Sequence, residues 1–194
     1  MSKSDEQKLK EIKAFRDKAN MLASIHSKLS DKYEYWYTIL SSFLLIVSTV
    51  LLGLTFISDT FVQNSIGMTP NALKWSLGLT AILNFCGVLL LSQWGFQQKA
   101  IEHRQAVNFY FRIVNEIRQW IDSGIVITED MIKEIRSEYA KADNIPKISD
   151  SQFLKLKQWH IQKVAISREL EISPFESIKS IRKRLGHQQP KSDV

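Results

Sequence analysis

Two apolar stretches without a single Asp, Glu, Lys or Arg, residues 35–58 and 75–98, restrict this chain more than any other feature. A helix rises ~1.5 Å per residue, so each stretch is long enough to cross a hydrocarbon core of ~30 Å with modest tilt. Soluble core helices so long and so free of charge are uncommon. The flanks agree. Tyr33, Tyr35, Trp36 and Tyr37 crowd the start of the first stretch, Trp75 opens the second, and Trp94 lies near its end. Such rings, part apolar and part polar, favour the membrane–water interface. All but one of the 26 Lys and Arg residues lie before the first stretch or after the second; the exception is Lys74. The positive-inside rule then places both termini in the cytoplasm and the connector outside. The expected fold class is an all-α membrane protein: a two-helix transmembrane hairpin with N- and C-terminal cytoplasmic helices.

The segments follow from this. Residues 1–34 form an N-terminal amphipathic cytoplasmic helix, 35–58 transmembrane helix 1, 59–74 an external connector and 75–98 transmembrane helix 2. Residues 99–186 make a cytoplasmic helical region, and 187–194 a disordered tail. In the leading helix Leu9, Ile12, Phe15, Ala19, Leu22, Ile25 and Leu29 recur at three and four, so they share one face. That face packs on the cytoplasmic bundle; lying on lipid is the alternative. With no Pro or Gly between Asp5 and Ser30, the helix is free to run into the first span. The first apolar run starts too far along the chain for an ordinary cleaved signal peptide and is expected to act as an uncleaved anchor.

Local signals set the later boundaries. Thr69-Pro70-Asn71 suits a helix start. After Gln98 the second helix is expected to continue, with Ala106, Tyr110, Ile113, Ile117 and Ile121 in helical spacing, until Gly124 ends it. Thr128 caps a short helix with Glu129 and Asp130 in its first turn. Asn144 and Pro146 break the chain, and Ser149 caps a helix carrying Phe153, Leu156 and Trp159. Ser173-Pro174-Phe175-Glu176 reads as a capping box opening a last helix, with Ile178, Ile181 and Leu185, that Gly186 closes. Lys179, Arg182, Lys183 and Arg184 make that helix basic, a candidate site for anionic lipid or another anionic ligand.

Both spans carry small polar residues. Ser41, Ser48 and Thr55 are seven apart and lie near one line of the first helix, widened by Ser42 and Thr49. Ser76, Thr80, Asn84 and Gly87 follow at four, four and three in the second, extended towards Gly95. These are the candidate pore or helix-seam residues. Close packing explains the first stripe most simply. Asn84, near mid-span, needs a hydrogen-bond partner or water, so helix–helix adhesion and a wet pore are weighed equally there.

The net charge of +6, concentrated on the inner side, is explained by anionic lipid headgroups; no nucleic acid is expected. Cys86, the single cysteine, excludes an intramolecular disulfide and a Cys-based metal site. No phosphate-binding glycine loop, dinucleotide fingerprint, nucleophile elbow or zinc-protease motif is present. His26, His103, His160 and His187 lie far apart, with no ligand pair among them. No catalytic residue, metal or cofactor is assigned, and the chain is not expected to be an enzyme.

The order of elements, with Lys28-Leu29-Ser30-Asp31-Lys32-Tyr33 before the first span, resembles a known family. So does the stretch from Tyr139 through Ile145-Pro146-Lys147-Ile148-Ser149-Asp150-Ser151-Gln152-Phe153. About residues 8–172 resemble the SLATT superfamily, the SMODS/SLOG-associating two-transmembrane effector domains; the basic helix 174–186 lies outside that common core. The resemblance implies a multi-pass protein of the bacterial inner membrane, an effector of nucleotide-signalled antiviral defence. A nucleotidyltransferase-linked sensor or a cyclic nucleotide would control it. On activation it would form a homo-oligomer and permeabilise the bilayer. The family has no agreed catalytic residues to carry over. The alternative is a membrane-anchored helical adaptor that recruits a cytoplasmic partner without forming a pore. A uniporter-like cation channel would need an acidic connector, which residues 59–74 lack.

Overall fold

A computed structural model describes residues 3–56 and 69–187. Among them the chain is helical and has no strand. The elements are α1 (Lys3–Leu54), α2 (Pro70–Trp94), α3 (Phe96–Asp122), α4 (Glu129–Ala140), a 3-10 turn (Lys141–Asn144), α5 (Asp150–Ile172) and α6 (Ile178–His187). The chain divides into two compact units, one of residues 1–26 and 106–194, the other of residues 27–105. No break separates residue 34 from 35, because both lie within α1. Most of the connector, the last two residues of the first span (57–58) and the tail beyond His187 lie outside the described residues.

The first unit has an ordinary apolar core. Ile12, Ala19 and Ala23 of α1 meet Tyr110, Ile113, Val114 and Ile117 of α3, with Ile127 and Ile132 and Ile135 of α4. Burying one such isoleucine contributes about 1.5–3 kcal/mol, whereas an exposed ion pair contributes at most about 1 kcal/mol. The core therefore outweighs the Arg136–Glu11 and Arg112–Glu138 pairs on its surface. Tyr139 at the end of α4 ties the core to α1: its hydroxyl donates to the Phe15 carbonyl at 3.0 Å. Burial pushes this phenol well above its ordinary pKa.

Several ends form where the local chemistry dictates. Thr69 caps α2, its hydroxyl accepting the Ala72 N–H, with Pro70 in the first turn. Gly124, at φ 64°, closes α3: its N–H bonds the Ile121 carbonyl, and the Ile125 N–H reaches back to Trp120. Thr128 caps α4 through the Met131 N–H.

Three boundaries differ from the sequence expectation. The chain is helical past Gln98 as far as Asp122, as expected, but the second span is not one helix: α2 stops at Trp94, and α3 begins at Phe96. Gly95 sits between them at φ 60°, a left-handed conformation that only glycine adopts cheaply. Ser173-Pro174-Phe175-Glu176 is a turn and not a helix start: the Glu176 N–H bonds the Ser173 carbonyl at 3.1 Å. The helix opens at Ile178, capped by the Ser177 hydroxyl, which accepts the Ser180 N–H. Gly186 does not close it, since α6 extends to His187, the first residue of the expected tail. Ser149 precedes α5 as expected, but its hydroxyl makes no capping bond.

The second unit is an antiparallel pair formed by the later part of α1 and α2. Ser48 meets Asn84 and Leu44 meets Gly87 of α2, and Ser30 meets Ala100 at the start of α3, so numbers fall along α1 as they rise through α2 and into α3. Over residues 33–54 of α1 the half-buried apolar and aromatic residues are Tyr33, Tyr37, Leu40, Leu44, Val47, Leu51 and Leu54, alternating four and three apart, with Ser41 and Ser48 half-buried beside them. That 3.5-residue period keeps one seam facing a partner helix. Outside the seam the pair is also apolar. Phe43, Leu45, Ile46, Leu52, Leu79, Ile82, Leu83 and Phe85 are all exposed, Leu45 by 68%. The α1 and α2–α3 stretches each hold a run long and apolar enough to cross a membrane, and neither run is buried within the chain.

Candidate functional site: the helix seam

At mid-span the seam sets the small residues Gly87 and Ser48 among larger apolar ones, and the helices pack closely there. Gly87 lies so close to α1 that a β-carbon there would stand 2.9 Å from Leu44 Cδ2. Three residues earlier, and so on the same side of α2, Asn84 Nδ2 donates to Ser48 Oγ at 2.7 Å. Ser48 in turn donates to the Leu44 carbonyl of its own helix at 2.8 Å. Asn84 Oδ1, equally shielded, has no hydrogen-bond partner. An amide in an apolar setting loses free energy for each unpaired atom, so half of Asn84 is satisfied and half is left wanting a donor.

The other small polar residues of the two stripes do not cross the seam. Ser41 donates to Thr38 O, Thr55 to Leu52 O, Ser76 to Leu73 O and Thr80 to Ser76 O. Each hydroxyl is thereby satisfied within its own helix, the usual solution where water is scarce. Thr55, Ser76 and Thr80 are exposed, and Ser41 is half-buried. Of the seven residues singled out in the sequence, the fold thus brings together Ser48, Asn84 and Gly87 and leaves the exposed hydroxyls on the outside of the pair.

Aromatic residues mark both ends of the apolar surface. Trp75 and Phe56 are more than 80% exposed at one end. At the other, Tyr35, Trp36 and Trp94 are exposed, and Trp94 meets Phe96 edge-on at 5.6 Å. Beyond them comes a polar collar, in which the Glu102-His103-Arg104 run after the second span, read from the sequence as a solvated juxtamembrane turn or a charged collar, meets the end of the charged run before the first. Arg104 pairs with Glu34 at 2.7 Å, beside a groove of about 250 Å³ that Tyr37, Thr38 and Gln97 also line. Ser30 Oγ donates to the Ala100 carbonyl at 3.0 Å. His103 is buried and stacks on Tyr33 with centroids 5.6 Å apart. Burial lowers its pKa from the ordinary imidazole value, against a smaller opposing effect of Glu102. A cue to this collar existed in the sequence: Glu34 closes the charged run before one span and Arg104 belongs to the charged run after the other.

The basic residues of α6 part company. Arg184, itself exposed, is paired within the chain with Glu169 of α5 and with Glu176, the latter at 3.1 Å. Lys179, Arg182 and Lys183 are exposed. His26, His103 and His160 are buried at separate places, and among the described residues no group of three His, Cys, Asp or Glu gathers that would hold a metal. Comparison with protein-family models, curated proteins and solved structures gives no match, so the function is argued from the chain's own residues.

Proposed function

We propose that the α1–α2 pair is a transmembrane hairpin, and that the chain is a membrane effector that self-associates and permeabilises the bilayer when activated. The observation that carries the membrane part is the apolar exterior of residues 35–56 and 71–94. An aqueous monomer rarely exposes a contiguous apolar patch beyond a few hundred Å². Here exposed Leu, Ile, Phe and Val side chains lie on both helices between two sets of aromatic residues. Bilayer hydrocarbon removes that cost, and the internally bonded hydroxyls satisfy the polar groups that must enter it. The charge distribution supports both termini on the cytoplasmic side, and the resemblance to the SLATT superfamily implies a bacterial inner membrane.

Self-association is supported by what the hairpin leaves unused. Two helices cannot enclose a channel, so a pore needs several copies. Asn84 Oδ1 still wants a donor, and Ser76, Thr80 and Thr55 present small exposed surfaces of the kind that allow helices to approach closely. The helical unit of residues 1–26 and 106–194 would receive the signal, from a cyclic nucleotide or from a nucleotidyltransferase-linked sensor.

The adaptor alternative draws on the same seam. Ser48 and Asn84 already satisfy one another within a single chain, as they would in a hairpin that only anchors. Dye release from liposomes separates the two. The reconstituted chain, supplied with its activating partner or at high protein-to-lipid ratio, is expected to empty the vesicles, and Asn84→Leu to reduce release while still inserting. An adaptor releases no dye under any of these conditions.

A further inference from the structure

The turn and helix at the end of the described chain, residues 172–185, form a surface whose parts the sequence did not put together. Phe175 is fully exposed, and Ile172 and Ile178 on either side of it are exposed by 77% and 53%. The turn at 173–176 is what brings this about, because a helix start there would have carried Phe175 in its first turn. In α6, Ile181 is fully buried and marks the inward side. At 100° per residue, Ile178 stands on the flank of that inward side, still 53% exposed, and Arg182, Lys179 and Lys183 follow one another around the outward side. Lys179, Arg182 and Lys183 are exposed, and no carboxylate pairs with them among the described residues. Arg184, the fourth basic residue, points elsewhere and is neutralised by Glu169 and Glu176.

An apolar tip flanked by three unpaired cations has a defined complement. Aromatic and aliphatic side chains enter the acyl boundary while Lys and Arg meet anionic headgroups, and neither set is complete without the other. A nucleic acid would use the cations and a stacking ring, but it would have no use for Ile172 and Ile178. We propose that residues 172–185 are a peripheral docking element for an anionic phospholipid surface, with Phe175, Ile172 and Ile178 inserted and Lys179, Arg182 and Lys183 on the headgroups. This rests on the reading of the chain as membrane-borne, because it needs a bilayer within reach.

The test is amide exchange of the full chain in nanodiscs of phosphatidylcholine, with and without phosphatidylglycerol. Exchange over 172–185 is expected to slow several-fold in the anionic discs and to lose that difference at high salt. Each basic residue beside an anionic surface contributes about fivefold to partitioning, so Lys179→Gln/Arg182→Gln/Lys183→Gln should remove the difference. Phe175→Asp should do the same without disturbing the fold, since nothing packs on a fully exposed ring. Lys155→Gln/Lys157→Gln, exposed on α5, should leave it intact. Equal exchange in the two discs, equal loss with the α5 variant, or protection by added RNA in zwitterionic discs would overturn the proposal. Failure of the chain to enter discs at all would instead overturn the hairpin, so the two failures are distinguishable.

Discussion

Ile117→Ala is expected to destabilise the unit of residues 1–26 and 106–194 by about 2–5 kcal/mol, the cost of truncating a fully enclosed isoleucine. Ile117 is 0% exposed and sits in the cluster formed with Ile12, Ile113 and Ile132. The loss has two parts, the transfer free energy of the removed methyl groups and the cavity they leave between helices that cannot fully close. Small domains are stable by only about 5–15 kcal/mol, so this is a large fraction of the total. Because the hairpin has its own stabilising contacts, a single melting curve would mix two transitions. Denaturant dependence of amide exchange in α3 and α4 isolates the unit concerned. Ile161→Ala, at a site 57% exposed on α5, is the control and should cost no more than about 0.5 kcal/mol. Equal effects of the two would mean that the core has been placed wrongly.

Gly87→Phe should separate the helices of the hairpin. A β-carbon at Gly87 already meets Leu44 Cδ2 at 2.9 Å. The methyl belongs to a rotatable side chain, so Gly87→Ala is accommodated by a small shift of Leu44. A phenyl ring finds no such outlet, and overpacking of this kind costs about 1–3 kcal/mol. It also acts three residues from Asn84, so the 2.7 Å bond to Ser48 is expected to go with it. Interhelical hydrogen bonds in membranes contribute about 0.6–2 kcal/mol, which brings the whole effect to the scale of the core truncation. Gly78→Phe, on the same helix with nothing within 4 Å, is the matched control. The midpoint of SDS-induced unfolding in mixed micelles reports the difference. A Gly78 variant as damaging as the Gly87 variant would contradict the seam.

Much of this architecture was legible in the residues, and the exceptions have a common cause. Thr69, Gly124 and Thr128 act on backbone groups three to five residues away, so their roles are local and readable. The 3.6-residue face of Ile12, Ala19 and Ile25 is equally local and is buried as the spacing requires. Gly95 was not readable as a break, because apolar and aromatic residues continue on both sides and a single glycine is tolerated within a helix. The Ser173 capping box failed because its glutamate has other partners. Glu176 accepts from the Ser180 hydroxyl at 2.7 Å and pairs with Arg184. Both stripes of small polar residues were visible, yet only Ser48, Asn84 and Gly87 come together. The choice depends on the register of α1 against α2, which no local pattern specifies.

In the proposed hairpin, residues 35–58 and 75–98 cross a membrane in opposite directions, with both termini on the cytoplasmic side. A reporter that is active only outside the cytoplasm tests it when inserted in turn within residues 59–68 and fused after Val194. Activity is expected in the connector and none at the C-terminus, with the complementary pattern for a reporter active only in the cytoplasm. Activity of the outside reporter at the C-terminus, or of the cytoplasmic reporter in the connector, would contradict the hairpin.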